Sequence, residues 1–319
     1  MSNGYDEIKD VKMQRPHLII LGAGASRAAF PNGDKNGKKL PIMNDLIEVV
    51  GLQDELKSLS VDFENKNFEG ISSELFNQGH PEILEKMESK IYKYFSSLEL
   101  PDSTTLYDHI VLSLREKDII ATFNWDPFLF DACERNYHFA IPPKLFFLHG
   151  NVRIGYCIGH KQKGKIGSKC SICGNYYEKS NLLFPIENKN YNKNGYIKAE
   201  WDSMIHYMGK AYILTIFGYS APKTDVEAID LLKQGWGDVN KRNFEETEII
   251  DIKEEDILVE TWKEFIHTHH YQVYNNFYDS IVANHPRRSC EAIWATLMKN
   301  TWADKNPIPK DSNFIGLYS

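Results

Sequence analysis

The sequence lacks any long hydrophobic run: no apolar stretch approaches the roughly 20 residues that a membrane-spanning helix needs. Its start, MSNGYDEIKD, also lacks the apolar core of a signal peptide. Positive charge is not in surplus, since the formal net charge is -7. An acidic chain of this kind is poorly suited to nonspecific binding of nucleic acid. We therefore expect a cytoplasmic protein that has no membrane partner and no direct sequence-specific contact with nucleic acid.

Cysteine is scarce, and most of it is concentrated in one place. Three of the five cysteines fall within residues 157–173, in the two close pairs Cys157-x-x-His160 and Cys170-x-x-Cys173. A two-residue gap lets both members of a pair reach one ion, and thiolate with imidazole is the donor set of structural zinc. Four protein ligands leave no open position, so the predicted Zn²⁺ is structural and catalysis lies elsewhere. A polar loop that contains cysteines by chance remains the alternative.

A complete G-x-G-x-x-G motif is also missing, because position 27 is Arg. The apolar residues 18–21 nevertheless run directly into Gly22, Gly24 and Ser26, which is typical of a buried parallel strand followed by a phosphate-binding turn. A branched side chain at Gly24 is then predicted to weaken nucleotide binding and to spare the fold. On this segment alone, an ordinary strand-to-helix turn remains possible.

Further apolar runs alternate with helical patterns along the chain, as in a doubly wound parallel sheet. The predicted strands after the first are residues 118–123, 144–148, 212–217 and 247–252, and the helices include residues 81–95 and 104–115.

The predicted fold is α/β: a Rossmann-type doubly wound parallel sheet with a small inserted zinc module and a helical C-terminal segment. The aromatic-rich residues 262–281 are predicted to be helical within that last segment. We expect residues 1–150 to be the first part of the Rossmann-type domain, residues 151–198 the zinc module, residues 199–253 the second part of the Rossmann-type domain, and residues 254–319 the helical segment.

Polar residues follow several predicted strands at the point where each strand ends. Asn124 and Asp126 follow the second strand, His149 the third, and Gly218 and Ser220 the fourth. Parallel strands place their carboxyl ends at one edge of the sheet, where such folds bind ligands. Singly, Asn124 could cap a helix and His149 could be a core histidine. Together they favour a functional site.

The order of these motifs resembles that of the Sir2 family, which contains the NAD-dependent sirtuins and the Sir2-like NAD hydrolases of bacterial anti-phage defence. The resemblance covers about residues 17–252. It rests on GAGAS (residues 22–26), TFNWD (122–126), LHG (148–150), a zinc module, and GYS (218–220).

The resemblance implies that NAD+ is the substrate and assigns a role to each motif. Asn124 and His149 would be the catalytic residues, and Asp126 would line the nicotinamide-ribose pocket with Asn124. The NAD-binding residues implied by the two glycine-containing motifs are Gly22, Ala23, Gly24 and Ser26 for the pyrophosphate, and Gly218 and Ser220 for the adenosine half.

Departures from the deacetylase pattern favour the hydrolase branch of the family. The Asp-Phe-Arg segment that follows GAG in deacetylases is missing, and residues 182–191 read LLFPIENKNY in place of their Phe-Gly-Glu stretch. Residues 218–225 read GYSAPKTD, similar to the GYS-x-x-x-x-D form of the hydrolases.

We therefore expect an NAD+ hydrolase that acts in anti-phage defence. Since an unregulated hydrolase would harm its own cell, we expect a homo-oligomer or a regulatory partner protein. Two alternatives stay open: an NAD-dependent protein-lysine deacylase, because zinc modules are common in that branch, and a non-catalytic sensor of NAD or ADP-ribose.

Overall fold

The computed structural model describes residues 13–57, 66–184, 194–221 and 225–311. No helix within these ranges is long and apolar enough to cross a lipid bilayer. The strands in them are β1 (His17–Leu21), β2 (Ile119–Thr122), β3 (Lys144–Phe147), β4 (Ile154–Cys157), β5 (Gln162–Lys165), β6 (Glu178–Lys179), β7 (Ile213–Phe217), β8 (Glu246–Ile250) and β9 (Tyr271–Tyr274).

Six of these strands form one sheet, in the order β3-β2-β1-β7-β8-β9, and all neighbours run parallel. The chain order reverses between β1 and β7. In open parallel sheets ligands bind beyond the carboxyl ends of the strands at such a reversal. The doubly wound parallel sheet that the sequence predicts is therefore confirmed.

The sheet lies between two apolar layers, and β1 shows how its sequence serves both. Ile19 and Leu21 pack into one buried cluster, while Leu18 and Ile20 pack into the other. Successive side chains of a strand point to opposite faces, so a strand buried on both faces must be apolar throughout. This explains why four consecutive apolar residues precede the glycine-containing turn.

Helices cover both faces of the sheet. In α5 the buried residues Met87, Ile91 and Phe95 recur every fourth position, which confirms the predicted amphipathic helix. The described helices are α1 (Ala23–Ala29), α2 (Leu46–Val50), α3 (Gln53–Lys57), α4 (Phe68–Asn77), α5 (Pro81–Ser96), α6 (Leu106–Ser113), α7 (Phe128–Asn136), α8 (Gly195–Met208), α9 (Val226–Trp236), α10 (Glu255–Trp262), α11 (Ile281–Asn284) and α12 (Ser289–Lys299).

The C-terminal part contains the helices α10, α11 and α12, but one of its elements differs from the prediction. Residues 262–281 were expected to be helical, whereas β9 lies within them and forms the sixth strand of the sheet, parallel to β8. The segment YQVY is short and rich in aromatic and β-branched side chains, and the free edge of β8 offers it backbone partners. Residues 312–319 of the predicted helical segment lie outside the described ranges.

Along the sequence, a second, small sheet is formed by the residues between β3 and α8. Its three antiparallel strands have the order β5-β4-β6. It falls within the predicted zinc module, of which residues 185–193 lie outside the described ranges. The exact division of the chain into four parts stays a prediction.

Candidate functional site

The turn after β1 and the turn after β7 meet at the point where the strand order reverses. The Gly22 N–H donates to the Phe217 carbonyl at 2.9 Å, and the Gly24 N–H donates to the Gly218 carbonyl at 3.0 Å. A Cβ atom on Gly24 would lie 2.9 Å from the Gly218 backbone, and Gly218 itself has a φ of +62°. The glycines therefore let two backbones touch. Ala23 and Gly24 are half-buried in this arrangement, and Ser220 is exposed.

Asn124 lies at the centre of a buried hydrogen-bond network. Its Nδ2 donates to the Gly22 carbonyl and to Ser26 Oγ, both at 2.9 Å, and lies 3.3 Å from the Tyr107 hydroxyl. The Ser26 hydroxyl in turn donates to Asp126 Oδ2 at 2.6 Å and lies 2.6 Å from the Tyr107 hydroxyl. The structure thus brings together three residues that the sequence singled out, from β1–α1 and from the end of β2.

The contacts of Asn124 exclude its role as a helix cap. The next helix, α7, begins at Phe128, and its first free N–H is accepted by Asp126 Oδ1 at 3.2 Å. Asp126 therefore accepts one N–H at that helix end, and the side-chain amide of Asn124 donates to the turn after β1.

Burial raises the pKa of Asp126 to about 6, although the Ser26 hydroxyl and the Phe128 N–H lower it in part. Burial, followed by the nearby Asp126 carboxylate, also raises the pKa of Tyr107. The carboxyl group of Asp126 consequently exchanges its proton close to neutrality, and the Tyr107 phenol stays protonated there.

His149 lies beside this network, in contact with the residue that precedes Asn124. The Phe123 ring meets the imidazole edge-on, with 4.8 Å between ring centroids, and stacks on Tyr219 at 4.1 Å. His149 Nε2 lies 4.0 Å from Asp225 Oδ2, and the Tyr219 hydroxyl donates to the same oxygen at 3.1 Å. His149 is as buried as a core histidine would be, but it lies beside the Asp225 carboxylate, at the carboxyl ends of the parallel strands.

The site contains polar residues that the sequence did not reveal. From the sequence, Tyr107 is expected to be an ordinary core aromatic of α6. A helical pattern does not show that its hydroxyl contacts Ser26 and Asn124. Asp225 was signalled only as the last residue of the GYS-x-x-x-x-D pattern. Asn151, two residues after His149, is fully buried and hydrogen-bonds to the loop of Asn124.

The predicted metal ligands are the second cluster. The donor atoms of Cys157, His160, Cys170 and Cys173 all lie within 4.8 Å of one another. Cys157 Sγ is 3.8 Å from Cys173 Sγ and 3.4 Å from His160 Nδ1, and Cys170 Sγ is 3.7 Å from His160 Nδ1. A tetrahedral Zn²⁺ site places two sulfurs about 3.8 Å apart, and a sulfur and a nitrogen about 3.5 Å apart. The four residues therefore fit a structural zinc ion.

Two tight turns bring these ligands together. Cys157 ends β4 in the hairpin to β5, where Lys161 has a φ of +51°. In the second turn the Gly174 N–H donates to the Cys170 carbonyl at 2.9 Å. Backbone N–H groups of Cys173 and Ile172 lower the pKa of the Cys170 thiol to about 6, which favours the thiolate that a metal requires.

A cavity of about 460 Å³ lies past the ends of β8 and β9. Its lining includes Lys253, Glu255, Tyr274 and Asp279, and none of the predicted site residues. The site is accordingly defined by side-chain contacts rather than by this cavity.

No protein-family model matches the chain, and no curated protein matches it. Solved structures of Sir2 proteins are similar to it. A crystal structure of a Sir2 homolog–NAD complex is 14% identical with a TM-score of 0.43, over 92% of this chain and 96% of that chain. A Sir2–p53 peptide–NAD+ complex is 16% identical with a TM-score of 0.39, over 94% and 98% of the two chains. A sirtuin structure that addresses the structural basis of substrate affinity is 17% identical with a TM-score of 0.40, over 81% of this chain and 91% of that chain. Identities and TM-scores this low carry no statement about the substrate or the activity of this chain.

Proposed function

We propose that the protein is an NAD+ hydrolase, which converts NAD+ and water to nicotinamide, ADP-ribose and a proton. The observation that carries the proposal is the pairing of a fixed amide with an imidazole at the strand reversal. Asn124 has its Nδ2 tied to Gly22 and Ser26, and His149 is held against Phe123, the residue before Asn124.

These two side chains suit the chemistry of water attack. When the bond between the ribose C1′ and nicotinamide breaks, an oxocarbenium-like centre forms and neutral nicotinamide leaves. Because the Asn124 N–H groups are engaged within the protein, its Oδ1 is the atom that can accept a hydrogen bond from the attacking water. Neutral imidazole at His149 can take the proton that this water, or a ribose hydroxyl, gives up.

The remaining site residues have supporting roles in this proposal. Gly22, Ala23 and Gly24 form the turn after β1, where the pyrophosphate would approach the backbone, and Gly218 with the exposed Ser220 would face the adenosine half. Asp126, ionised above its pKa of about 6, would stabilise the positive charge that develops on the ribose. The predicted contact of Ser26 with the pyrophosphate stays a prediction, and the buried hydroxyl of Ser26 also supports the site by binding Asn124 and Asp126.

The zinc-type site has no open position and takes no part in the reaction. Its four ligands would hold the small sheet together. A role in anti-phage defence, with regulation by a homo-oligomer or a partner protein, belongs to the same proposal and is supported by the sequence departures from the deacetylase pattern.

A protein-lysine deacylase is the second candidate, favoured by the zinc module, because such a module is commoner in the deacetylase branch of the family. In that reaction the acyl oxygen of a lysine replaces water as the nucleophile. The segment that would pair with an acyl-lysine peptide, residues 182–191, lies mostly outside the described ranges. An NAD or ADP-ribose sensor is the third candidate, although a pure binder needs neither Asn124 nor His149.

One assay separates the three candidates. The protein is incubated with NAD+ alone and with NAD+ plus an acetyl-lysine peptide, and nicotinamide, ADP-ribose and O-acetyl-ADP-ribose are quantified. Release of nicotinamide without peptide is expected. Release only with peptide, together with O-acetyl-ADP-ribose, would instead establish a deacylase, and binding without turnover would establish a sensor.

Variants test the two catalytic assignments in the same assay. Asn124→Ala and His149→Ala are each expected to lower nicotinamide release by about 100-fold or more while the protein stays folded. The control is His109→Ala, which also removes a buried histidine but lies on α6. A variant that melts early and still turns over NAD+ at low temperature would show that a structural residue had been mistaken for a catalytic one.

A further inference from the structure

The segment that leaves the small sheet runs along the turn that carries His149. The Leu183 N–H donates to the His149 carbonyl at 2.9 Å. Gly150 has a φ of +79°, and a Cβ there would lie 2.0 Å from the Asn181 carbonyl oxygen. The Asn151 N–H donates to Ser180 Oγ at 3.0 Å. Residues 149–151 are thus fixed against residues 180–183.

Asn151 extends this contact to the loop of Asn124. Its side chain is fully buried, and its Nδ2 donates to the Asp126 carbonyl at 2.7 Å and lies 3.4 Å from the Asn124 carbonyl. Its Oδ1 accepts the Arg153 N–H at 2.9 Å. Both the Nδ2 and the Oδ1 atoms of Asn151 therefore have hydrogen-bond partners, and Nδ2 faces the backbone carbonyls of Asn124 and Asp126.

A buried asparagine is most often simply a satisfied part of the core. Asn151 differs in which atoms it satisfies. The carbonyl groups of Asn124 and Asp126 lie in an irregular loop after β2, outside the hydrogen-bonding ladder of the sheet. The Val152 N–H adds one more bond to this loop, to the Trp125 carbonyl at 3.2 Å.

We propose that Asn151 is a positioning residue for NAD+ cleavage, which sets Asn124 and Asp126 at a fixed distance from His149. The inference rests on the proposed function, because it names the residue that aligns the two proposed catalytic groups. Asn151 is fully buried, so its effect on the reaction would pass through Asn124 and Asp126. It acts by joining the end of β2 to the end of β3.

The proposal predicts an effect on turnover that is separate from substrate binding. Small displacements of a catalytic group cost about 100-fold in rate, whereas the residues proposed to bind the pyrophosphate lie on other turns. Asn151→Ala is therefore expected to lower kcat by about 10- to 100-fold and to change the Kd for NAD+ by about 2-fold or less. Asn136→Ala is the matched control, because Asn136 is equally buried and its Nδ2 donates to Asp108 and to the Ala132 carbonyl on α7.

Asn151→Asp gives the sharpest readout. A carboxylate has no hydrogen to donate and would face two carbonyl oxygens, whereas the protonated acid can donate one hydrogen bond to the Asp126 carbonyl. Burial raises the pKa of such a carboxyl group, so the acid form is accessible at about pH 5 to 6. The kcat of Asn151→Asp relative to wild type is expected to recover at about pH 5.5 and to fall to the Asn151→Ala level by about pH 8.

Thermal melts accompany each measurement, and Ser180→Ala provides a milder variant in case Asn151→Ala does not fold. The proposal is overturned if Asn151→Ala lowers the melting temperature, as Asn136→Ala is expected to do, yet keeps wild-type kcat below that temperature. A ratio of kcat values for Asn151→Asp that does not change with pH would overturn it as well. If the wild-type protein fails to cleave NAD+, the proposed function fails by itself. Amide hydrogen exchange then tests the positioning, since Asn151→Ala must speed exchange of residues 124–128 and Asn136→Ala must not.

Discussion

Gly24, at the point where the strand order reverses, is subject to two constraints: a predicted role in nucleotide binding and a close contact between two backbone turns. The sequence alone predicts that a branched side chain there would weaken nucleotide binding and spare the fold. In the structure a Cβ on Gly24 would lie 2.9 Å from both Cα and the carbonyl oxygen of Gly218, which is backbone that cannot rotate away. The close approach of the two turns therefore requires glycine whether or not a ligand is bound.

Gly24→Val is accordingly expected to destabilise the protein by about 1 to 3 kcal/mol, in addition to weakening NAD+ binding. Chemical denaturation of the ligand-free protein measures this change. Gly195→Val is the matched control, because a Cβ on Gly195 meets no atom of the described residues within 4 Å. Unchanged stability of Gly24→Val would restore the simpler interpretation, in which this glycine serves the phosphate alone.

At the scale of elements, the buried parallel strands could be predicted because their apolar runs are short, continuous and followed by polar residues. The strand β9 could not, since YQVY does not differ in periodicity from the aromatic helical pattern around it. Its position is decided by the unpaired edge of β8, which is a property of the sheet.

The candidate site was predictable to the extent that its residues follow strands. Asn124, Asp126 and His149 do so. Tyr107 does not, because its contact with Ser26 joins residues 81 positions apart. Asn151 follows His149 closely, yet its contact with the loop after β2 arises only from the way two loops pack.

The zinc-type site offers a test at this scale. Cys170→Ser removes one of four donors, and because metal binding to such a site is coupled to its folding, we expect loss of about one equivalent of zinc and a lower melting temperature. Cys133→Ser is the control, since Cys133 is a free buried cysteine on α7. Metal analysis of the purified proteins gives the result, and a full equivalent of zinc in Cys170→Ser would refute the assignment.

At the scale of the whole molecule, a buried series of hydrogen bonds joins parts of the protein that are distant in the sequence. His17 of β1 lies 2.7 Å from Ser289 Oγ and 2.6 Å from Thr215 Oγ1 of β7, and that hydroxyl donates to Glu248 Oε2 of β8 at 2.7 Å. The other oxygen of Glu248 accepts the Ile281 N–H of α11. These hydrogen bonds connect the sheet to α11 and α12 through buried groups.

Two groups in this hydrogen-bond series, Glu248 and His17, make folding stability depend on pH. Burial raises the pKa of Glu248 to about 7 from its ordinary 4.5, so between these values the folded protein holds a proton that the unfolded chain has released. The free energy of unfolding must then fall as pH rises from about 4.5 to about 7. His17 acts in the opposite direction, because burial lowers its pKa to about 4 and its contribution rises with pH up to about 6.5.

Comparing wild type with Glu248→Gln isolates the glutamate, since His17 is present in both proteins. Glutamine resembles the protonated acid, so the two proteins should have similar stability at about pH 4.5, and the variant should become more stable by about 3 kcal/mol at about pH 8. Urea unfolding at both pH values measures the difference, with Glu255→Gln as the exposed control. A difference that stays constant with pH would mean that the pKa of Glu248 is the same in the folded and the unfolded protein. The folded protein would then hold a buried carboxylate near neutral pH, and the Thr215 hydroxyl and the Ile281 N–H would both donate hydrogen bonds to it.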